Sequence, residues 1–196
     1  DMMPDVYLEF LQKPADFLDG VAPQNYFEQF DDADMLVGWL CDYIAQGVPV
    51  PDLLLERITS LGESAEKSLL ALLDRTDLPE ETEMTVVSLL REMESQAPMQ
   101  RYIDFIASLE EPSDKGDLCA EALLSMGEAV VAPVLAAPSG AGQAGRENFG
   151  DILSNYPGDD RIYDLLVEWF AMREEKRALF AFYLAKLVDD RAIPML

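Results

Sequence analysis

The run Gly140-Ala141-Gly142-Gln143-Ala144-Gly145 has the spacing G-x-G-x-x-G, and Asp159 and Asp160 follow where a carboxylate could reach a ribose hydroxyl. Dinucleotide binding needs more than this spacing. It needs a strand before the glycines, a helix after them, and several further βα units. Here Pro133 lies in a preceding segment that reads as helical, and too little chain follows for a doubly wound sheet. With Pro138 and Ser139 beside it, the run is expected to be a flexible loop between helical units.

Carboxylates are the other chemistry-bearing groups. Asp31-Asp32-Ala33-Asp34, and Asp1, Asp5 and Glu9, offer oxygen ligands of the kind calcium takes. The first cluster lacks the glycine and distal glutamate of an EF-hand loop, and Asp32 or Asp34 is placed to cap a helix carrying Met35 to Ala45. The pairs Glu110-Glu111, Asp159-Asp160 and Glu174-Glu175 raise glycoside hydrolysis, which uses two facing carboxyl groups. Neighbours on a helix diverge by about 100°. These pairs fall at helix ends, where negative charge near the first turn is favoured. The chain contains no histidine. That removes Ser-His-Asp and Cys-His catalysis, imidazole-ligated zinc and the commonest general base. No catalytic residue, metal ligand or cofactor site is assigned on these grounds.

Composition narrows the partners. The 196 residues include 38 acidic and 14 basic ones, for a net charge of −24. Such a surface repels phosphate backbones and anionic lipid, so neither nucleic acid nor membrane is expected as a partner. Basic proteins or peptides suit it, although acidic excess also serves solubility alone. Residues 1–50 hold ten acidic residues and only Lys13 as a base, for a net −9, and they are rich in aromatics: Tyr7, Phe10, Phe17, Tyr26, Phe27, Phe30, Trp39 and Tyr43. Cys41 and Cys119 lie far apart among apolar residues, as buried free thiols of a cytoplasmic protein would. There is no apolar run of about 18 residues to span a membrane. The chain opens on Asp1 rather than Met, so a preceding segment or removed signal is compatible with it.

The elements that would position these residues are helices. Leu54, Ile58 and Leu61 share one face, as do Leu69, Leu70, Leu72 and Leu73 after a break at Gly62. Val86, Val87, Leu89, Leu90 and Met93 form another face, and Ile103, Phe105, Ile106 and Leu109 a further one. Pro49, Pro51, Pro79, Pro112 and Pro138 fall before or between segments, where proline opens a helix without sitting inside it. Strand signals are poor.

The helices repeat. Ile58-Thr59-Ser60-Leu61-Gly62-Glu63 matches Leu123-Leu124-Ser125-Met126-Gly127-Glu128, both reading apolar-x-Ser-apolar-Gly-Glu. Leu123 to Leu135 matches Leu184 to Leu196 in the same way, with Pro133 over Pro194. Met93 falls midway between Leu61 and Met126, and Tyr156 marks a weaker copy. The unit is a first helix, a tight turn and a second helix, stacked so that neighbours bury each other's apolar stripes. The segment Leu184-Ala185-Lys186-Leu187-Val188-Asp189-Asp190-Arg191-Ala192-Ile193-Pro194-Met195-Leu196 resembles the short HEAT-like repeat of phycobilisome-lyase-type proteins. In that repeat a Leu-Gly-Asp turn precedes Arg-Ala and an apolar-Pro-x-Leu helix start; Val188 stands here in place of the glycine.

The resemblance covers about residues 51–196, strongest at 113–137 and 173–196. It implies an all-α chain: a right-handed α-α superhelix, or solenoid, of helix-pair HEAT-like repeats. Residues 1–50 would then form an irregular helical cap or subdomain, and residues 51–196 about four to five helix pairs. The last pair is incomplete, which leads one to expect residues beyond Leu196. As a packing signature it carries no catalytic residue onto this chain.

Three functions stay open. The leading one is a non-enzymatic protein–protein interaction or scaffold module with an acidic helical surface. A bilin lyase-like or other tetrapyrrole-handling protein is implied by some members of the HEAT-like group. The DNA glycosylases built from such repeats fit poorly, since a basic groove is missing. The third is the helical region of a larger protein whose activity lies elsewhere. Candidate partner-binding aromatics are Tyr163, Trp169, Phe170, Phe182 and Tyr183, beside Phe180; Tyr102 and Phe105 are of the same kind. Their helical spacing is equally that of core residues.

Overall fold

A computed structural model describes the backbone of residues 3–172 and 174–192, and the side chains of residues 8–138, 140–172 and 175–192. Among the described residues the chain is all-helical, with no strand beyond an isolated antiparallel bridge between Ala15 and Val21. The α-helices are α1 (Met3–Gln12), α2 (Ala33–Ala45), α3 (Asp52–Ser60), α4 (Glu63–Leu73), α5 (Glu80–Glu92), α6 (Met99–Ala107), α7 (Asp114–Ser125), α8 (Val131–Ala136), α9 (Gln143–Leu153), α10 (Asp160–Met172) and α11 (Arg177–Lys186). Short 3₁₀ turns join several of them, three of these between α1 and α2. Residues 3–50 therefore consist of two helices linked by irregular turns.

The chain divides into two compact units, Asp1–Met93 and Glu94–Leu196. In the first, α2, α3, α4 and α5 pack on one another around Leu36, Leu40, Leu54, Ile58, Leu69 and Leu90, all fully buried. Helix α2 thus belongs to the same core as the helices after residue 51. In the second unit α7, α9 and α11 pack in series, with α6 against α7 and α9, and α10 against α11. Phe149, Ile152 and Leu153 of α9 are fully buried at the centre of that series. The apolar faces read from spacing are largely the buried ones: Leu69, Leu72 and Leu73, then Val86, Val87, Leu89 and Leu90, then Ile103 and Ile106, while Leu61, Leu70, Met93, Phe105 and Leu109 are half-buried at their borders.

Helix starts follow local chemistry. Pro51, Pro79 and Pro98 each stand immediately before a helix, where their missing N–H costs nothing. Asp32 caps α2, its Oδ1 accepting from the Met35 N–H at 3.0 Å, and Ser113 caps α7 by accepting from the Gly116 N–H at 3.3 Å.

The turns between helices repeat more regularly than the side chains do. From α3 onward, positive φ occurs at Gly62 (φ 57°), Glu94 (φ 56°), Gly127 (φ 68°), Gly158 (φ 96°) and Val188 (φ 53°), while Asp19, Gly20 and Gly47 have it earlier in the chain. The five later residues follow α3, α5, α7, α9 and α11 at near-equal intervals. Val188 has a positive φ, as glycine does at positions 62 and 127, although a β-branched side chain is strained there. After the last two turns the same three residues recur. Asp159-Asp160-Arg161 and Asp189-Asp190-Arg191 each fold so that the first carboxylate accepts the backbone N–H two residues on, at 2.9 Å in both copies. It also binds the arginine side chain, which holds the Asp159 and Asp189 carboxyls below the usual carboxylate range. Arg191 reaches back to Asp160 at 2.8 Å and lies 4.1 Å above the Tyr163 ring. Residues Ile193 to Leu196, including Pro194 of the repeat alignment, fall outside the described residues.

Only the first half of the glycine run, through Gly142, is the loop its composition suggests. Pro138–Gly140 is a 3₁₀ turn, and Gln143 to Gly145 open α9. The reason is a backbone-to-backbone contact. The Gly142 N–H donates to the Ala107 carbonyl at 2.8 Å and the Gly145 N–H to the Leu109 carbonyl at 3.0 Å. Carbonyls that the end of α6 leaves unpaired are thereby satisfied by the start of α9. A Cβ on Gly142 would lie 2.3 Å from the Leu109 oxygen, and one on Gly145 2.4 Å from the Ile106 oxygen. The Gln143 N–H donates to a Glu110 carboxylate oxygen at 3.2 Å, so the donors a phosphate would use are occupied.

Gly145→Ala is expected to destabilise the protein by about 2 kcal/mol or more, because backbone rather than a flexible side chain must move. Gly140→Ala, with open space at its Cβ, should stay within about 0.5 kcal/mol of the parent in urea unfolding. Val188→Gly is expected to stabilise by about 0.5–1 kcal/mol, the left-handed strain relieved less the added chain entropy of glycine, read as a higher Tm.

Candidate functional site

Tyr163, Trp169 and Tyr183 sit in the core of the second unit, 8%, 3% and 6% exposed. Trp169 meets Phe180 edge-on at 5.8 Å between centroids, and Phe180 meets Tyr183 in the same way at 5.8 Å. This ladder holds α10 to α11. The Tyr183 ring also presses on Gly150 of α9, where a Cβ would lie 2.8 Å from it. Burial, with Asp151 and Glu147 nearby, pushes the Tyr183 phenol up from its ordinary value. Phe170 is half-buried and Phe182 is 58% exposed, with Arg177 and Lys186 near their respective rings. The five candidate aromatics therefore divide into three core residues and two surface ones. An edge of Trp169 borders a cavity of about 590 Å³ with Arg146, Glu168 and Met172.

Tyr102 is likewise interior. It is 2% exposed, and its buried hydroxyl has no hydrogen-bond partner among the described residues. Desolvation pushes that phenol upward. Phe105 is half-buried beneath the Lys115 ammonium, 4.2 Å from the ring centroid.

The acidic clusters have structural tasks. Asp31 pairs with Arg57, whose Nε donates to the Phe30 carbonyl at 3.0 Å; Asp32 caps α2; Asp34 accepts from the Ser68 hydroxyl at 2.5 Å. Among the described residues no three or more Asp, Glu, Cys or His side chains are gathered as a metal site would require. Asp159 caps α10 and Glu110 caps α9, as expected of carboxylates at helix ends. The side chains of Asp1, Asp5, Tyr7 and Glu174 lie outside the described residues.

Another aromatic site lies in the first unit. Helix α2 has two faces. Ala33, Leu36, Val37 and Leu40 are buried, while Trp39, Asp42, Tyr43 and the C-cap Gln46 follow the i, i+3, i+4, i+7 spacing on another face. With Tyr26, Phe27 and Val48 they line an open cavity of about 380 Å³. Phe30 stands edge-on to Trp39 at 4.8 Å and to Tyr26 at 5.5 Å, and Phe27 meets Tyr26 edge-on at 5.2 Å. These contacts fix the ring orientations. Tyr26, Trp39 and Tyr43 are each half-buried, and Asp42 is exposed beside them. Among the described residues the Asp42 carboxylate has neither a cation within salt-bridge reach nor a hydrogen-bond donor.

Sequence reasoning noted these aromatics without bringing them together. The signal was the 39/42/43/46 spacing, which repeats a buried-face period with an aspartate inside it. Compared with protein-family profiles, curated protein sequences and solved structures, the chain matches none. No helix among the described residues is long and apolar enough to cross a membrane.

Trp169→Ala is expected to cost about 3–5 kcal/mol of unfolding free energy, and Phe182→Ala no more than about 0.5 kcal/mol, by urea titration. Comparable losses at both positions would contradict the division into core and surface rings.

Proposed function

We propose that the chain is a non-enzymatic protein–protein interaction or scaffold module with an acidic helical surface, whose partner is a basic protein or peptide. The observation that carries this reading is the excess of negative charge on the first unit, which also holds the open aromatic cavity with Asp42 in its lining. The first unit has twenty acidic residues against five basic ones, a net −15. Lys13, Arg57, Lys67 and Arg75 of those five already lie against carboxylates, so most of the acidic excess has no counter-ion within the unit. Potential of one sign steers oppositely charged partners and repels nucleic acid.

The architecture proposed with it is a right-handed superhelix of HEAT-like helix pairs. Support comes from the evenly recurring left-handed turns and from the serial packing of α7, α9 and α11. A cytoplasmic location goes with the free thiols of Cys41 and Cys119. The absence of histidine and the capping and pairing tasks of the carboxylates favour binding over catalysis.

The test is calorimetric titration of the 196-residue chain with poly-lysine. Raising ionic strength from about 0.1 M to about 1 M shortens the Debye length from about 10 Å to about 3 Å. Affinity is expected to fall at least about tenfold over that range. Salt-insensitive binding, or none at the lower ionic strength, would refute steering by the acidic surface.

A further inference from the structure

We propose that the cavity bordered by Tyr26, Trp39, Asp42 and Tyr43 is an arginine-binding site, into which a basic, extended partner segment inserts one guanidinium. This rests on the reading of a basic partner and names the place and the side chain that it uses.

Three observations converge on this ligand. Trp39 and Tyr43 lie one helical turn apart on α2, and Tyr26 faces them from the irregular segment before it, so aromatic walls border one open volume of about 380 Å³. The faces of such rings are negative and attract cations, most strongly at tryptophan. Asp42 stands between Trp39 and Tyr43 in the same lining, exposed and without a partner among the described residues. A carboxylate beside aromatic faces matches a planar group that stacks and also donates a fork of hydrogen bonds. A quaternary ammonium would leave Asp42 without a hydrogen bond, and an uncharged apolar side chain would leave its charge unmatched. Lysine donates to a carboxylate but cannot stack as a plane.

The surroundings agree. Residues 1–50 carry a net −9, and their one base, Lys13, is held by Glu9 at 2.6 Å. Among the described residues of that segment no cation is free to fill the cavity. Phe27 and Phe30 hold the Trp39 ring in place, which lowers the ordering cost of binding.

The experiment uses the 196-residue chain and two synthetic peptides of equal length and charge, one of alternating arginine and glycine, the other of alternating lysine and glycine. Binding is followed by calorimetry at low salt. The arginine peptide should bind several-fold more tightly. Asp42→Asn should weaken it about tenfold, the scale of a charge-assisted pair. Glu92→Gln removes the same charge from an exposed position that lines no part of the cavity, and should weaken it no more than about twofold. Tyr43→Leu, checked for retained helicity by circular dichroism, should narrow the difference between the peptides.

Equal losses for Asp42→Asn and Glu92→Gln would overturn the site while leaving general acidic attraction intact. Equal affinity for the two peptides would overturn the choice of arginine. Binding of neither would overturn both this site and the reading of a basic partner.

Discussion

Every helix end leaves backbone N–H or carbonyl groups without an intrahelical partner, and a chain made almost wholly of short helices meets this constraint many times over. Much of the local structure here answers it. Helices start at proline, at a serine or aspartate cap, or directly on another helix's carbonyls. The first helices end on a left-handed residue that turns the chain sharply into the next element. A positive φ recurs after these helices even where glycine does not. Glu94 and Val188 adopt it despite the cost, because the packing on either side holds it there.

The same constraint accounts for the acidic residues that look most like chemistry. A carboxylate near a helix start accepts free N–H groups and meets the positive end of the helix dipole. Asp32, Asp159 and Glu110 do this, while Asp31, Asp77 and Asp189 bind arginines within the fold. Such pairs are solvent-exposed at one partner or both, and contribute little stability each. Their larger effect is on function. They consume the few cations present and leave the remaining acid to set the field at the surface. The net charge of −24 is thus a property of unpaired carboxylates rather than of a designed acidic site.

Helical class, the apolar faces and the cap at Asp32 were legible in the sequence because each depends on residues a few positions apart. The recurrence of the turn was legible at Gly62 and Gly127 and hidden at Gly158, where the side-chain pattern drifts while the backbone turn persists. Gly142 lies in the link before α9, as its composition suggests, whereas Gly145 lies within the helix. Their role is close approach to the end of α6, an element remote from them along the chain, and no local rule reports a distant carbonyl. The aromatics failed in a related way. Spacing says which rings share a helix face, but whether a face is covered depends on what packs over it. Trp169 and Tyr183 are covered by each other's helices, whereas Trp39 and Tyr43 are left half-open.

That difference has a physical origin in α2 itself. A helix with one apolar stripe buries it and turns polar residues outward. Helix α2 fills its buried face with Ala33, Leu36, Val37 and Leu40, and has further large rings to dispose of at positions 39 and 43. The segment before it supplies Tyr26, Phe27 and Phe30, enough to hold Trp39 by edge contacts but too short to cover the face with another helix. Completing the core there would have required apolar residues at positions 42 and 46, and the sequence places aspartate and glutamine instead. A carboxylate among rings resists closure, since burying it unpaired would cost several kcal/mol, on the order of the protein's whole margin of stability. Asp42 therefore keeps the cavity open to water, and the charge that prevents the fold from closing over Trp39 is the charge available to an incoming cation.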